Sequence, residues 1–342
     1  MRNNGANRYS VNAYRDGTLE RAEPIVRNLI SINPNFGDAY SYLAFIRMND
    51  HGIDEAEYLL SKAEALGSTD PFLDIRWTIV LFAEGKFEDG RAHLHRIFQS
   101  PTANARVKRQ AVDLTIDDVI RQREYEEGKK IYEQALATYP DDINLRTSFA
   151  GYLSDYLDLN DQAIAIATKP PSIVSSGSGR RILAFALYRE WAVAIAKGNR
   201  KEADNYFAQA QELYSDLDQV MLHAGSAPAS NKLVDALVNE KGVSIEAADS
   251  DGSTTLLIAT NQDFTDVVRF LLSRHANPNV QDANGWTPLL SAAQDGNREL
   301  AAMLISAGAD PNVTMNGKPP AAFAMENNNT EMAMWLDGLR QQ

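Results

Sequence analysis

The chain has 342 residues, a net charge of −13 and no cysteine. Because nucleic-acid phosphates and anionic lipid surfaces attract basic faces, this acidic balance argues against nucleic acid and membranes as partners. The lack of cysteine excludes disulfides, cysteine-ligated zinc and thiol catalysis, and no run of about 18 apolar residues predicts a membrane span.

The amino-terminal stretch, MRNNGANRYSVNAY, does not contain the apolar segment of about 7 to 15 residues that a secretory signal needs. We therefore expect a cytoplasmic protein. A trimmed chain and an exported one stay open as alternatives.

Small residues recur along the first part of the chain at intervals of 34, 34, 38, 35 and 40 residues. Such a period predicts a repeat array of two-helix units, in which each unit packs on its neighbours, and hence an all-α solenoid. The recurring residues are Ala22, Ala56, Gly90, Gly128, Ala163 and Ala203.

Segments aligned on these residues include DAYSYLAFIRMNDHGIDEAEYLLSKAEALG and PFLDIRWTIVLFAEGKFEDGRAHLHRIF, and they resemble the tetratricopeptide repeat. The resemblance implies about six helical pairs over residues 6–216, of which the first and the fifth are degenerate. Pro170 and Pro171 interrupt the fifth pair, since proline is costly inside a helix. The loop after them is a hinge, a ligand loop or a plain insertion.

The tetratricopeptide geometry implies a concave groove lined by the first helix of each pair. Six large apolar side chains occupy its inward positions and predict a groove filled by a helix or an extended segment. The alternative is that these side chains belong to the core between repeats. They are Phe45, Met48, Phe72, Ile75, Ile79 and Phe82.

The second part of the chain has a shorter period, with Gly252, Gly285 and Gly317 lying 33 and 32 residues apart. The segment NGWTPLLSAAQDGNRELAAMLISAGADPNVT and its two neighbours resemble the ankyrin repeat. The resemblance implies about four ankyrin repeats over residues 217–342, of which the first is a partial cap. It also implies a left-handed residue after the second helix of each unit, at Gly242, His275 and Gly308, where glycine has no steric penalty.

Ankyrin partners are commonly bound by the hairpin tips and by the inner side of the first helices. Trp286 is the sharpest candidate because tryptophan often dominates interface energetics, although packing against the next unit would explain it equally well. The predicted contact positions are Ser253, Asn261, Asn284, Trp286, Gln294, Asp295 and Lys318.

The sequence predicts no catalytic, metal or cofactor site. His93 and His95 are two residues apart and so lie on different faces of a helix, and SSGSGRR does not have the order of a phosphate loop. We therefore predict a non-enzymatic scaffold or adaptor that binds a protein or peptide partner.

Three alternatives to the scaffold stay open. The first is a dedicated inhibitor or immunity protein, and the second is a secreted effector that wraps and blocks one target. The third, which we favour least, is a binder of a small ligand. The sequence predicts neither the identity of a partner nor the oligomeric state.

Overall fold

The computed structural model describes residues 18–49, 52–168 and 176–340. These residues form nineteen α-helices and no β-strand, so the predicted all-α helical-repeat class is confirmed. The chain divides into two compact units between Ile131 and Tyr132. The predicted start of the first repeat at residues 6–17, and the break at Pro170 and Pro171, lie outside the described residues.

The first unit consists of helices that pack as consecutive pairs. The helices are α1 (Thr18–Ile32), α2 (Gly37–Asn49), α3 (Ile53–Ala65), α4 (Leu73–Ala83), α5 (Phe87–Gln99), α6 (Ala105–Gln122) and α7 (Tyr125–Thr138), and the division between the units falls within α7. α2 pairs with α3 and α4 pairs with α5, while α4 also contacts both α2 and α6.

The second unit continues with α8 (Ile143–Leu157), α9 (Asn160–Ala167), α10 (Gly177–Ala196), α11 (Arg200–Leu213), α12 (Leu217–Gly225) and α13 (Asn231–Lys241). It ends with α14 (Thr255–Asn261), α15 (Thr265–Ser273), α16 (Pro288–Asp295), α17 (Arg298–Ser306), α18 (Pro320–Glu326) and α19 (Thr330–Leu339). From α12 onward, the first helices contact one another in series, α12 with α14, α14 with α16 and α16 with α18. The predicted change of repeat type near residue 217 lies inside this unit and stays a prediction.

Five of the six recurring small residues are buried, as expected where two helices cross, and Ala22 is half-buried. Ala56, Ala163 and Ala203 have no exposed surface. At Gly90 on α5 an added Cβ would overlap the buried Phe82 ring of α4. A larger side chain at these crossings would therefore force the helices apart.

The ends of the second helices have the backbone that the ankyrin resemblance implies. Gly242, His275 and Gly308 all have positive φ angles, of 68°, 64° and 96°. His275 is thus a turn residue, as predicted.

The start of α16 also has the expected residues. Thr287 caps this helix by accepting a hydrogen bond from Leu290 N, and Pro288 occupies the first helical position.

Replacing Gly90 with alanine is expected to lower the free energy of unfolding by about 1 to 2 kcal/mol, because overpacking against Phe82 outweighs the gain in helix propensity. Gly338→Ala is the matched control, since Gly338 is also helical but has open space around its Cβ position. Urea unfolding should show Gly338→Ala unchanged or slightly more stable. Equal effects of the two substitutions would contradict the crossing geometry.

Candidate functional site

Four of the six predicted groove residues are core residues. Met48, Ile75, Ile79 and Phe82 are only 8%, 1%, 6% and 1% exposed, and all four belong to one hydrophobic cluster of the first unit. Their assignment to an exposed groove is therefore wrong, and the core alternative is correct for them.

The physical reason is the composition of α4. Every residue from Ile75 to Ala83 is buried, because α4 contacts α2, α3, α5 and α6. Its sequence, LDIRWTIVLFA, has no continuous polar stripe, and a helix that is apolar all round is buried all round. The groove interpretation required a solvent-facing side that this helix does not have.

The other two groove residues, Phe45 and Phe72, are half-buried and lie under cationic side chains. The Arg76 guanidinium carbon is 5.3 Å from the centre of the Phe45 ring, and that of Arg106 is 5.4 Å from the centre of the Phe72 ring. These are cation–π distances. Aromatic surface at the two positions is thus partly covered by the chain itself.

A buried polar network beside Phe45 was not predicted from the sequence. Arg76 forms an ion pair with Asp70, and both are hydrogen-bonded to the Ser41 hydroxyl, which donates to Asp70 at 2.7 Å. Burial lowers the pKa of Arg76 to about 10. Arg76 therefore has an internal carboxylate partner. The sequence signal for this network is a pair of polar residues, Ser41 and Arg76, which stand among apolar neighbours on α2 and α4.

The hairpin tips of the second unit are shaped by two equivalent aspartates. Asp249 Oδ1 accepts hydrogen bonds from the backbone N–H groups of Asp251 (2.9 Å) and Ser253 (2.8 Å). One repeat later, Asp282 Oδ1 accepts from Asn284 N (2.9 Å) and Trp286 N (2.8 Å). An aspartate that bonds backbone groups a few residues ahead fixes a tight turn, so both tips are held in the same conformation.

Neighbouring repeats are joined at the tips and at the inner helices. The backbone N–H of Ala283 donates to the carbonyl oxygen of Asp251 at 2.6 Å, which joins two tips. The Ser291 hydroxyl of α16 donates to the side chain of Asn261, the last residue of α14, at 2.5 Å. Tips and inner helix ends therefore form one continuous surface, which we call the ankyrin face.

Trp286 lies on this face and also packs against the next repeat. Its ring centre is 5.3 Å from that of the buried Phe323 on α18, and its own side chain is half-buried. The two interpretations left open for Trp286 are thus compatible, because one side of the indole packs and the rest of it is accessible.

The remaining predicted contact positions are accessible to different degrees. Asn261, Asn284, Asp295 and Lys318 are exposed, whereas Ser253 and Gln294 are half-buried. Lys318 forms an ion pair with Glu326 at the end of α18. A role for these residues in partner contact stays a prediction.

A second polar network, centred on the buried Arg189, holds α12 to the helices before it. Asp155 Oδ1 on α8 lies 3.2 Å from an Arg189 nitrogen and 3.1 Å from His223 Nε2. Arg189 also donates to the carbonyl oxygen of Ala229 at 2.9 Å and to the Ser230 hydroxyl at 3.3 Å. The His223 ring is stacked on Phe185 at 3.9 Å. Arg189, which is 2% exposed, thus links α8, α10 and the residues after α12.

The order Ser226, His223, Asp155 looks superficially like a catalytic triad. Ser226 Oγ is 3.4 Å from His223 Nδ1, but it lies closer, at 2.8 Å, to the backbone oxygen of His223, to which it donates as a helix cap. The Asp155 carboxylate also accepts a hydrogen bond from Arg189. The arrangement is therefore explained by capping and by buried charge pairing. Across the described ranges no group of three histidine or acidic side chains could hold a metal ion.

The fold and this face define a helical-repeat protein of a kind that generally binds other proteins. Residues 221–315 match the family model for ankyrin repeats in three copies. No curated protein matches the chain. None of the helices in the described part of the chain is long and apolar enough to cross a bilayer.

Replacing Arg189 with methionine is expected to lower the free energy of unfolding by about 3 to 5 kcal/mol, because it leaves the Asp155 carboxylate without its buried guanidinium. The control is Arg200→Met, which removes an exposed ion pair with Glu240 on α13 and should change little. Urea unfolding of both variants measures the difference. Comparable stability of the two would contradict the role of the buried network.

The network also has an expected pH dependence. Burial alone would raise the pKa of Asp155, but the charges and hydrogen bonds of His223 and Arg189 hold it below its ordinary value of 3.8. A carboxyl with a lowered pKa stabilises the fold above its unfolded pKa and loses that contribution as the pH falls through its folded pKa. The stability difference between wild type and Asp155→Asn should therefore be largest above about pH 5 and shrink below about pH 4. Unfolding curves across this range test it, and a difference that is independent of pH would refute it.

Proposed function

We propose that this chain is a non-enzymatic interaction protein that holds a protein or peptide partner on its ankyrin face. The observation that carries the proposal is the continuity of that face. Turns of matching conformation and direct bonds between repeats hold it in place, and the accessible part of Trp286 lies within it. A rigid surface loses little conformational entropy on binding, which favours affinity.

The seven contact positions predicted from the sequence belong to this proposal. Asn284 and Lys318 are at the tips, and Asn261, Gln294 and Asp295 are at the inner helix ends. The combination of exposed polar side chains around a large half-buried aromatic ring resembles the centre and rim of protein interfaces.

For the first part of the chain we propose a tetratricopeptide-like array over residues 6–216 that precedes the ankyrin repeats of residues 217–342. Phe45 and Phe72 are retained as candidate contacts there, since part of each ring is accessible. This array would give the protein a second binding surface and with it the character of an adaptor. The cytoplasmic location stays a prediction.

Trp286→Ala is expected to weaken partner binding by about 2 kcal/mol or more, roughly thirtyfold, because the indole is the largest accessible side chain on the face. Trp335→Ala is the matched control, since Trp335 is half-buried on the outer helix α19, under Arg298. The full chain and both variants, each checked for native helicity, are used to capture partners, and the captured proteins are quantified by mass spectrometry.

A partner that is lost with Trp286→Ala and kept with Trp335→Ala supports the proposal. Equal recovery by all three proteins would contradict it. If the partner is an enzyme that the bound chain inactivates, the function is that of a dedicated inhibitor that uses the same face.

A further inference from the structure

The last ankyrin repeat exposes a methionine at a position that the earlier repeats bury. Met325 is the sixth residue of α18, as Thr260 is of α14 and Ala293 is of α16. Thr260 and Ala293 are 1% and 0% exposed, and α14 and α16 are each in contact with the first helix that follows. Met325 is 52% exposed. It therefore lies on the side of α18 that a following helix covers in the earlier repeats.

Ala322 lies one helical turn before Met325 on the same side of α18. The third residues of α14 and α16, Leu257 and Leu290, are both 0% exposed. Ala322 is the third residue of α18 and is half-buried. The difference in burial thus extends over at least one turn of the helix.

The outer helix of the last repeat continues this apolar side. Met334 is the fifth residue of α19, the position from which Arg269 of α15 reaches Glu299 on the following outer helix at 3.0 Å. Met334 is 71% exposed. We call this side of the repeat, with Ala322, Met325 and Met334, the end face. A terminal repeat that faces water usually has a polar side there, so an apolar end face indicates a docking surface.

The packing of the first helices indicates what fits the end face. Inside the chain, the surface that covers this side is always another first helix, so the end face continues an interface that the chain already forms. α14 lies between α12 and α16, and α16 lies between α14 and α18. In a second copy of the chain, α18 is therefore the described first helix that has the equivalent side free.

The end face is also complementary to itself. Ala322 and Met325 are three residues apart on one side of a helix, and one side chain is small while the other is large. A two-fold axis that passes between them places Met325 of each copy against Ala322 of the other, as an isologous contact requires. Methionine is flexible enough to fill the space beside an alanine.

The charges around the end face do not oppose such a contact. Each of the acidic side chains on α18 and α19 that lies near it has a basic partner within the same chain. Two copies could thus meet without bringing unpaired carboxylates together. The ion pairs are Lys318–Glu326, Arg298–Glu331 and Arg340–Asp337.

We propose that two copies of this chain pair through their end faces about a two-fold axis, with Met325 of each copy on Ala322 of the other. The pairing goes beyond the proposed function, because it concerns a surface outside the ankyrin face. A dimer presents two ankyrin faces and holds a partner with two binding sites more tightly than one copy does.

The experiment measures the mass of the full chain by sedimentation velocity over an about hundredfold range of concentration, since association follows mass action. The test variant is Met325→Glu. The matched control is Ile143→Glu, which makes the same kind of change at an exposed apolar residue at the start of α8. Circular dichroism checks the fold of each variant.

A mixture of two variants tests the two-fold geometry. Met325→Glu is mixed with Ala322→Lys, because the introduced carboxylate of one copy would face the introduced ammonium of the other across the axis. Each variant is also measured alone. The mixture should form a dimer that neither variant forms by itself at the same concentration.

Wild type and Ile143→Glu are expected to dimerise alike, while Met325→Glu raises the dimer dissociation constant at least about tenfold, because a carboxylate would be buried against Ala322. A wild-type chain that stays monomeric would overturn the pairing and leave the proposed function standing. Equal dimerisation of Met325→Glu, an equal loss with Ile143→Glu, or a mixture that does not recover would also overturn it. So would assemblies larger than two copies, since a two-fold contact closes on itself.

Discussion

Each helical pair in this chain has more apolar surface than it can bury by itself. This constraint explains why the first helices contact one another in series and why α4 is enclosed by four other helices. It also explains the small residues at the crossings, since Gly90 allows the Phe82 ring to lie against the backbone of its own pair. Packing within the pairs and packing between neighbouring pairs together hold the helices in place.

Local backbone features were the most predictable part of the fold. The positive φ at Gly242, His275 and Gly308 depends on one residue and its neighbours, and it could therefore be predicted from the resemblance to ankyrin repeats. The burial of Ile75 and Phe82 could not be predicted in the same way, because it depends on how many helices surround α4. The absence of a polar stripe in LDIRWTIVLFA is the sequence signal that this helix is buried on all sides, and the geometry of the tetratricopeptide family does not contain that signal.

Side-chain partners over long sequence separations were beyond sequence reasoning. Ser41 and Arg76 are 35 residues apart, and Asp155 and His223 are 68 residues apart, yet each pair lies in one polar network. A pattern search can identify polar residues on apolar helices but cannot pair them. Trp286 shows the intermediate case, since its position on the face was predictable but its contact with Phe323 depended on the geometry of the next repeat.

The network around Arg189 has a consequence for how the ankyrin repeats can be studied in isolation. A fragment that starts at residue 217 would leave behind Asp155, Arg189 and the whole of α10, which packs against α13 and whose Phe185 is stacked on His223. Such a fragment would present new apolar surface and be prone to aggregation. A fragment that begins with α8 keeps Asp155, Arg189 and His223 together, and so offers a sounder starting point for crystallisation or for nuclear magnetic resonance of the ankyrin face.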